Sequence, residues 1–205
     1  MFKVNDRFEI IRKICANKKC LDIGCVGDLE HHLVRKDKWL FMHLQEVCED
    51  VLGIDINSEN VDRVNKLGIK NIIHGDAETY NFHGKFDVIV AGELIEHLVN
   101  PGMFLNNIKK NLNNNGLLIL TTPNIFSINN ILRSLLSLKV NMHSDHAAGF
   151  NFDLLRALVE RCGFRVESHY YFTEKNPGIK NLIFRVLTRV RPKWGEGILV
   201  IAKPI

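Results

Sequence analysis

The chain has 205 residues, 46% hydrophobic and 24% charged, with a net charge of +4. These are the proportions of one globular domain able to bury a core, and no apolar run is long enough to exclude water across a bilayer. The mild positive charge tolerates an anionic partner without requiring one. Five cysteines, at 15, 20, 25, 48 and 162, form no CxxC pair and leave one over. That argues against a disulfide framework and for a reducing compartment, so the cytoplasm is the expected location. Cys20 and Cys25 flank a predicted buried strand that holds their side chains apart, against a metal site on Cys15, Cys20 and Cys25.

The N-terminal "MFKVNDRFEIIRKI" breaks its apolar positions with charges, so it lacks the apolar region of a secretory signal and reads as a first helix. From residue 19 to 121, short apolar runs ending in acids alternate with helix-like segments, which predicts a parallel sheet. The strands are expected over 19–24, 51–56, 70–77, 86–93 and 116–124. Residues 28–50 have helical spacing in their second half, at Leu40, Leu44, Val47 and Cys48. "SENVDRVNKLG" opens with Ser58 as N-cap, puts Val61, Val64 and Leu67 on one face and closes on Gly68. "PGMFLNNIKKNLNNNG" starts with Pro101 in the first turn and stops at an Asn run and Gly116. Helices are expected over 125–140 and 151–163, separated by a His-rich turn, then strands over 164–172 and 197–205. Residues 173–197 intervene as an insertion.

The turn after the first strand decides between ligands. A dinucleotide turn needs glycines at its first, third and sixth positions, so that backbone can approach a pyrophosphate. Here those positions are Gly24, Val26 and Leu29, and a Walker-type lysine loop is absent too, so the turn argues against a phosphate ligand. Three acids suit a nucleoside with a cationic amino-acid tail. Asp22 can orient the positive end, Asp55 can accept from ribose hydroxyls, and Asp76 from an adenine amino group, with Gly24 leaving room beside the backbone. All three acids fall at successive strand ends, along one edge of the sheet.

Residues 18–124 resemble a class I S-adenosylmethionine-dependent methyltransferase: "LDIGCVGD", "GIDI", "GDAE", "FDVIVAGELIEHL" and "GLLILTTPN" follow that family's motifs in order. Within that family the chain resembles the ubiquinone-pathway O-methyltransferases and the methyltransferase type 11 group. The resemblance implies an α/β fold, a Rossmann-like three-layer sandwich whose mostly parallel seven-stranded sheet has an antiparallel last strand. It implies a single domain over 1–205, with a cofactor-binding core at 18–124 and acceptor-side helices and closing strands at 125–205. The implied cofactor is S-adenosyl-L-methionine, held by Asp22, Gly24, Cys25, Asp55, Ile56, Asp76, Ala77, Ala91 and Glu93. Two departures stand out. Val26 and Asp28 replace the usual further glycines, so the loop takes a different path, and Asp55 follows Gly24 late because "HHLVRKDKWLFMHLQ" is inserted as a lid or substrate wall.

Methyl transfer from a sulfonium is an in-line displacement that gains from alignment in a dry pocket, and a base is needed only where the acceptor must lose a proton. "GELIEHL" puts Glu93, Glu96 and His97 at helical spacing past the fourth strand, and "NMHSDHAAGF" supplies His143, Asp145 and His146. His97 and His146 are the expected catalytic bases. The same "ExxEH" pattern resembles small-RNA 2′-O-methyltransferases, which implies Glu93, Glu96, His97 and His146 as an alternative metal set. The expected reaction is O-methylation of a small-molecule acceptor. RNA 2′-O-methylation and a non-catalytic cofactor-binding module are the alternatives, and no aromatic single-strand platform is visible to favour RNA. The segment "IKNLIFRVLTRVRPKW" reads as a cover helix with its charged side in water, or as a surface for anionic membrane or RNA.

Overall fold

A computed structural model of the chain describes residues 2–4, 7–140, 143–173 and 186–205, with side chains from residue 7 onward. Strands are β1 (Phe2–Val4), β2 (Lys19–Ile23), β3 (Asp50–Asp55), β4 (Ile72–His74), β5 (Phe86–Gly92), β6 (Leu112–Pro123), β7 (Phe164–Phe172) and β8 (Gly197–Pro204). Helices are α1 (Arg7–Cys15), α2 (Leu29–Val34), α3 (Leu40–Val47), α4 (Ser58–Lys66), α5 (Pro101–Lys109), α6 (Ile128–Leu135) and α7 (Phe152–Arg161).

The strands form one sheet in the order β1-β7-β8-β6-β5-β2-β3-β4. Every pairing is parallel except those of β8, which runs antiparallel to both β6 and β7. Central strands alternate their side chains between two cores. Leu21, Ile23, Ile89 and Ala91 join the core beneath α5 and α7, whereas Cys20, Val88 and Val90 join that beneath α1, α3 and α4. Burial on both faces explains why these strands read as nearly unbroken apolar runs. The three-layer α/β sandwich with an antiparallel last strand is as the sequence implies.

Several boundaries depart from expectation. The opening segment is not one helix: residues 2–4 add an eighth strand beside β7, and the helix starts at Arg7. Asn57, not Ser58, caps α4, its side chain accepting from the Asn60 amide at 3.0 Å. The helix from Pro101 stops at Lys109, and β6 begins at Leu112 instead of Gly116. Pairing of β5 with β6 jumps from Phe86–Leu112 to Val88–Leu117, so the Asn113–Asn115 run is absorbed as an irregularity of the strand. Of the proposed cover helix, residues 179–185 lie outside the described residues. Residues 186–190 are helical, but Val186 and Val190 are exposed and Thr188 is the buried position, so that apolar face does not pack as expected.

Candidate functional site

Because β2 to β5 are parallel neighbours, their carboxyl ends open on one edge of the sheet, where ligands of such folds bind. Two cavities lie there. One, of about 490 Å³, is lined by Asp55, Ile56, Asp76, Ala77, Leu98 and Val99 among others. The other, of about 610 Å³, takes in Asp22, Cys25, Trp39, Glu96, His143 and His146. Gly24, Gly27, Glu93 and His97 line both, so the two are continuous.

The turn between them shows what replaces the missing glycines. Gly24 and Gly27 both have positive φ, and a Cβ on Gly24 would press on Leu94 at 3.0 Å. The Val26 and Gly27 amides donate to Asp55 Oδ2 at 2.9 and 3.2 Å, and the Asn57 amide donates to Oδ1 at 3.0 Å. The loop therefore closes onto the acid. Asp28 then caps α2 by accepting from the His31 amide. The insertion forms a wall: Trp39 is buried, donates to the Cys25 carbonyl at 2.6 Å and stacks on His32. Burial, followed by His31, lowers the His32 pKa and favours its neutral form.

Two acids in the larger cavity carry buried oxygens without partners among the described residues. Asp22 is 1% exposed and its Oδ2 is unpaired. Burial first, then Cys48 and Asp55, pushes its carboxyl well above the usual range. Glu96 is likewise 1% exposed with both oxygens unpaired, and burial followed by Glu93 raises it to about 8. Unpaired buried acids are costly, so this lining is suited to a cationic or proton-bearing ligand.

Glu96 also positions the histidine loop, its carbonyl accepting from the Ala147 and Ala148 amides at 2.8 and 3.0 Å. His97 and His146 meet edge to face at 4.7 Å. Ligand atoms of Glu96, His97 and His146 all lie within 4.8 Å of one another. His97 Nδ1 lies 3.2 Å from the Asp145 carbonyl, which only accepts, so Nδ1 is the donor of that contact. Burial, then His97 and His143, lowers the His146 pKa. Glu93 stands apart from this group. It has φ of 52°, accepts from Arg7 Nη1 at 2.6 Å and from the Thr121 hydroxyl at 2.9 Å.

The structure thus brings eight of the nine expected cofactor residues to these cavities. The ninth, Ala91, is corrected: it lies in the β5 core opposite Ile23, fully buried, and lines neither cavity. Ala91 sits one residue before the strand end and is covered by the core, while the next residues, Gly92 and Glu93, reach the site. Asp76 serves its own turn, accepting from the Glu78 amide and the Thr79 hydroxyl. The four-residue metal set is narrowed, since Arg7 engages Glu93. Sequence reasoning missed Arg7, which has no motif around it, and gave Glu96 only a metal role; its burial has no local signature.

A family model described as a methyltransferase domain matches residues 6–169. Ubiquinone biosynthesis O-methyltransferase of Azorhizobium caulinodans is 30% identical over 112 residues, 52% of this chain and 40% of that protein. Its namesake in Pelagibacter ubique is 31% identical over 118 residues, 55% of this chain and 45% of that one. The match thus spans less than half the length of these relatives. An S-adenosylmethionine-dependent methyltransferase from Mesorhizobium loti superposes with TM-score 0.62 at 15% identity, covering 96% of this chain and 95% of that one. One from Archaeoglobus fulgidus gives 0.60 at 18% identity, covering 96% and 94%. These two likenesses show the fold. With the family match and the motif order, they make the chain a member of the class I methyltransferases, with S-adenosyl-L-methionine as its cofactor.

Proposed function

We propose that the protein methylates a hydroxyl of a small-molecule acceptor seated in the larger cavity. The reading rests on the convergence of Glu96, His97 and His146 in the cavity that Asp22 also lines, with His97 at the junction of the two cavities. The residues fit the cofactor: the buried Asp22 oxygen, unpaired among the described residues, suits its cationic amino-acid end, and Gly24 brings bare backbone to the wall of both cavities. Asp55 and Asp76 face the nucleoside, and Ile56, 68% exposed, offers an apolar surface across from Ala77 and Leu98. When bound, the cofactor supplies an electrophilic methyl group on a sulfonium.

The remaining work falls to the chain. The inserted wall of His32 and Trp39 narrows the cavity, which favours alignment and excludes water. His146, favoured in its neutral form by burial and neighbouring histidines, takes the acceptor's proton. His97, held by the Asp145 carbonyl through Nδ1, lines the same cavity. Incubation with methyl-labelled cofactor and a panel of catechols, hydroxy acids and short RNAs tests the proposal. Label is expected on a small hydroxylated acceptor. His146→Ala is expected to lower kcat about 100-fold or more, with cofactor affinity by calorimetry unchanged. An undiminished rate removes His146 as base, and transfer only to RNA removes the small-molecule reading.

The geometry also favours a second, metal-assisted reading. Glu96, His97 and His146 offer carboxylate and imidazole ligands suited to a divalent ion, which would lower the pKa of an acceptor hydroxyl. Titration with magnesium, manganese or zinc should then give binding heat, and a chelator should abolish transfer. No heat and no chelator effect eliminates it.

A further inference from the structure

A third cavity, of about 410 Å³, lies where the loop after β6, the start of α7, the second half of β7 and the 3₁₀ turn Pro192–Trp194 meet. Its size is within the range of small-molecule sites. It shares no lining residue with the two cavities at the cofactor edge. Between it and the larger one is a space of about 20 Å³, with Glu96 and His146 towards one and Asn124 towards the other. That leaves room for about one water, so a ligand of one site does not thread into the other.

Five rings line this third cavity: Phe126, Phe152, His169, Tyr171 and Trp194. His169 and Tyr171 stand two residues apart on β7 and so share one face of the sheet. Phe152, which opens α7, stacks on His169 at 3.7 Å, and Tyr171 meets the same imidazole edge to face at 5.8 Å. A single buried side chain sets the other two rings. Asn124 Nδ2 donates to the carbonyls of Lys193 and Gly195, on either side of Trp194, at 2.9 and 2.8 Å. Its Oδ1 accepts from the Phe126 amide at 3.0 Å. The backbone beneath both rings is thus fixed before any ligand arrives, although Phe126 is left 55% exposed.

We propose that this cavity is a second ligand site, separate from methyl transfer, for a small aromatic molecule carrying a carboxylate. The rings supply an apolar, stacking surface of the kind that a planar ring fills. Charge around them selects the acid. Lys193 lines the cavity, Arg156 stands over the Phe152 ring at 5.4 Å, and Arg191 over Trp194 at 5.6 Å. The acid on this wall, Asp153, already pairs with Arg156 at 3.6 Å. Burial, with Arg156 and Lys193 adding to it, lowers the His169 pKa, so the imidazole stacks as a neutral ring. Its Nε2 is buried without a partner among the described residues, which leaves an unmet hydrogen bond on this wall.

Three probes of similar size, phenylacetate, phenethyl alcohol and phenethylamine, test the site by calorimetry on the intact chain. The acid should bind about threefold to fivefold more tightly than the alcohol, as a solvent-facing ion pair allows, and the amine most weakly. In Trp39→Phe, Trp194 is the remaining tryptophan, and phenylacetate should shift its emission. Trp194→Ala should weaken all three probes, by about tenfold for the acid. Lys193 is exposed, so Lys193→Ala keeps the fold and should erase the preference for the acid. His146→Ala and saturation with S-adenosylhomocysteine should both leave phenylacetate affinity unchanged, because neither touches this cavity. Loss of affinity in His146→Ala would put the probe in the acceptor cavity and overturn the site. No binding by any probe, an unmoved Trp194 emission, or an order that does not put the acid first overturns it as well.

Discussion

Asp22 makes the sharpest claim about a single side chain. Its carboxyl is raised by burial, so between the unfolded value of about 3.9 and its folded value the native state holds a proton that the unfolded chain lacks. The stability this contributes is fully present below about pH 3.9 and is lost as pH rises through the folded value. Asp22→Asn is therefore expected to flatten the fall in melting temperature of the cofactor-free protein with rising pH. A cationic ligand reverses the preference, so cofactor binding should release a proton from the native protein and tighten as pH rises. The asparagine variant should release none and bind at least about tenfold more weakly. Calorimetry in two buffers of different ionisation heat measures both, and equal affinity without proton release would sink the assignment. Asp55 differs: its two oxygens already accept three backbone amides, so it holds the turn whatever else it binds.

The turn after β2 depends on the strand beside it. Gly53 lies in β3, two residues before Asp55, and a Cβ there would meet Cys25 Sγ at 2.6 Å and Phe41 at 2.8 Å. This absence of a side chain lets the turn and α3 sit against β3. Gly53→Ala should therefore cost about 1–3 kcal/mol in urea unfolding, and weaken cofactor binding by displacing Cys25. An unchanged midpoint would show that Phe41 and Cys25 relax freely. The same dependence explains what was readable locally. The α4 and α5 signals, with glycine after one and proline opening the other, lie within a few residues of each helix end. The early start of β6 does not, because it is set by pairing with Phe86.

Both cores are built on one continuous sheet, so the molecule should unfold as a single domain. Its two tryptophans test this from different places. Trp39 is buried beside α3, while Trp194 lies in a 3₁₀ turn (Pro192–Trp194) before β8. Urea transitions followed by each tryptophan, with the other changed to phenylalanine, should coincide with the far-ultraviolet circular dichroism. Cofactor at 100 times its dissociation constant should add about 2.7 kcal/mol to both. Separate midpoints would divide the chain into two units.

The order of strands and helices and the three acids along one sheet edge were legible in the residues, whereas "GELIEHL", expected at helical spacing, forms turns that part Glu93 from Glu96 and His97. The legible features are written in short windows: apolar period, a cap, or an acid where a buried run stops. Packing decided the rest. It closed Val26 and Gly27 onto Asp55, buried the Glu96 carboxylate with no partner among the described residues, and joined Arg7 to Glu93. Contacts between residues 28 to 86 positions apart depend on how helices lie on the sheet, and desolvation depends on everything around a group. Local pattern carries neither, which is why the fold was readable and the charge state of its site was not.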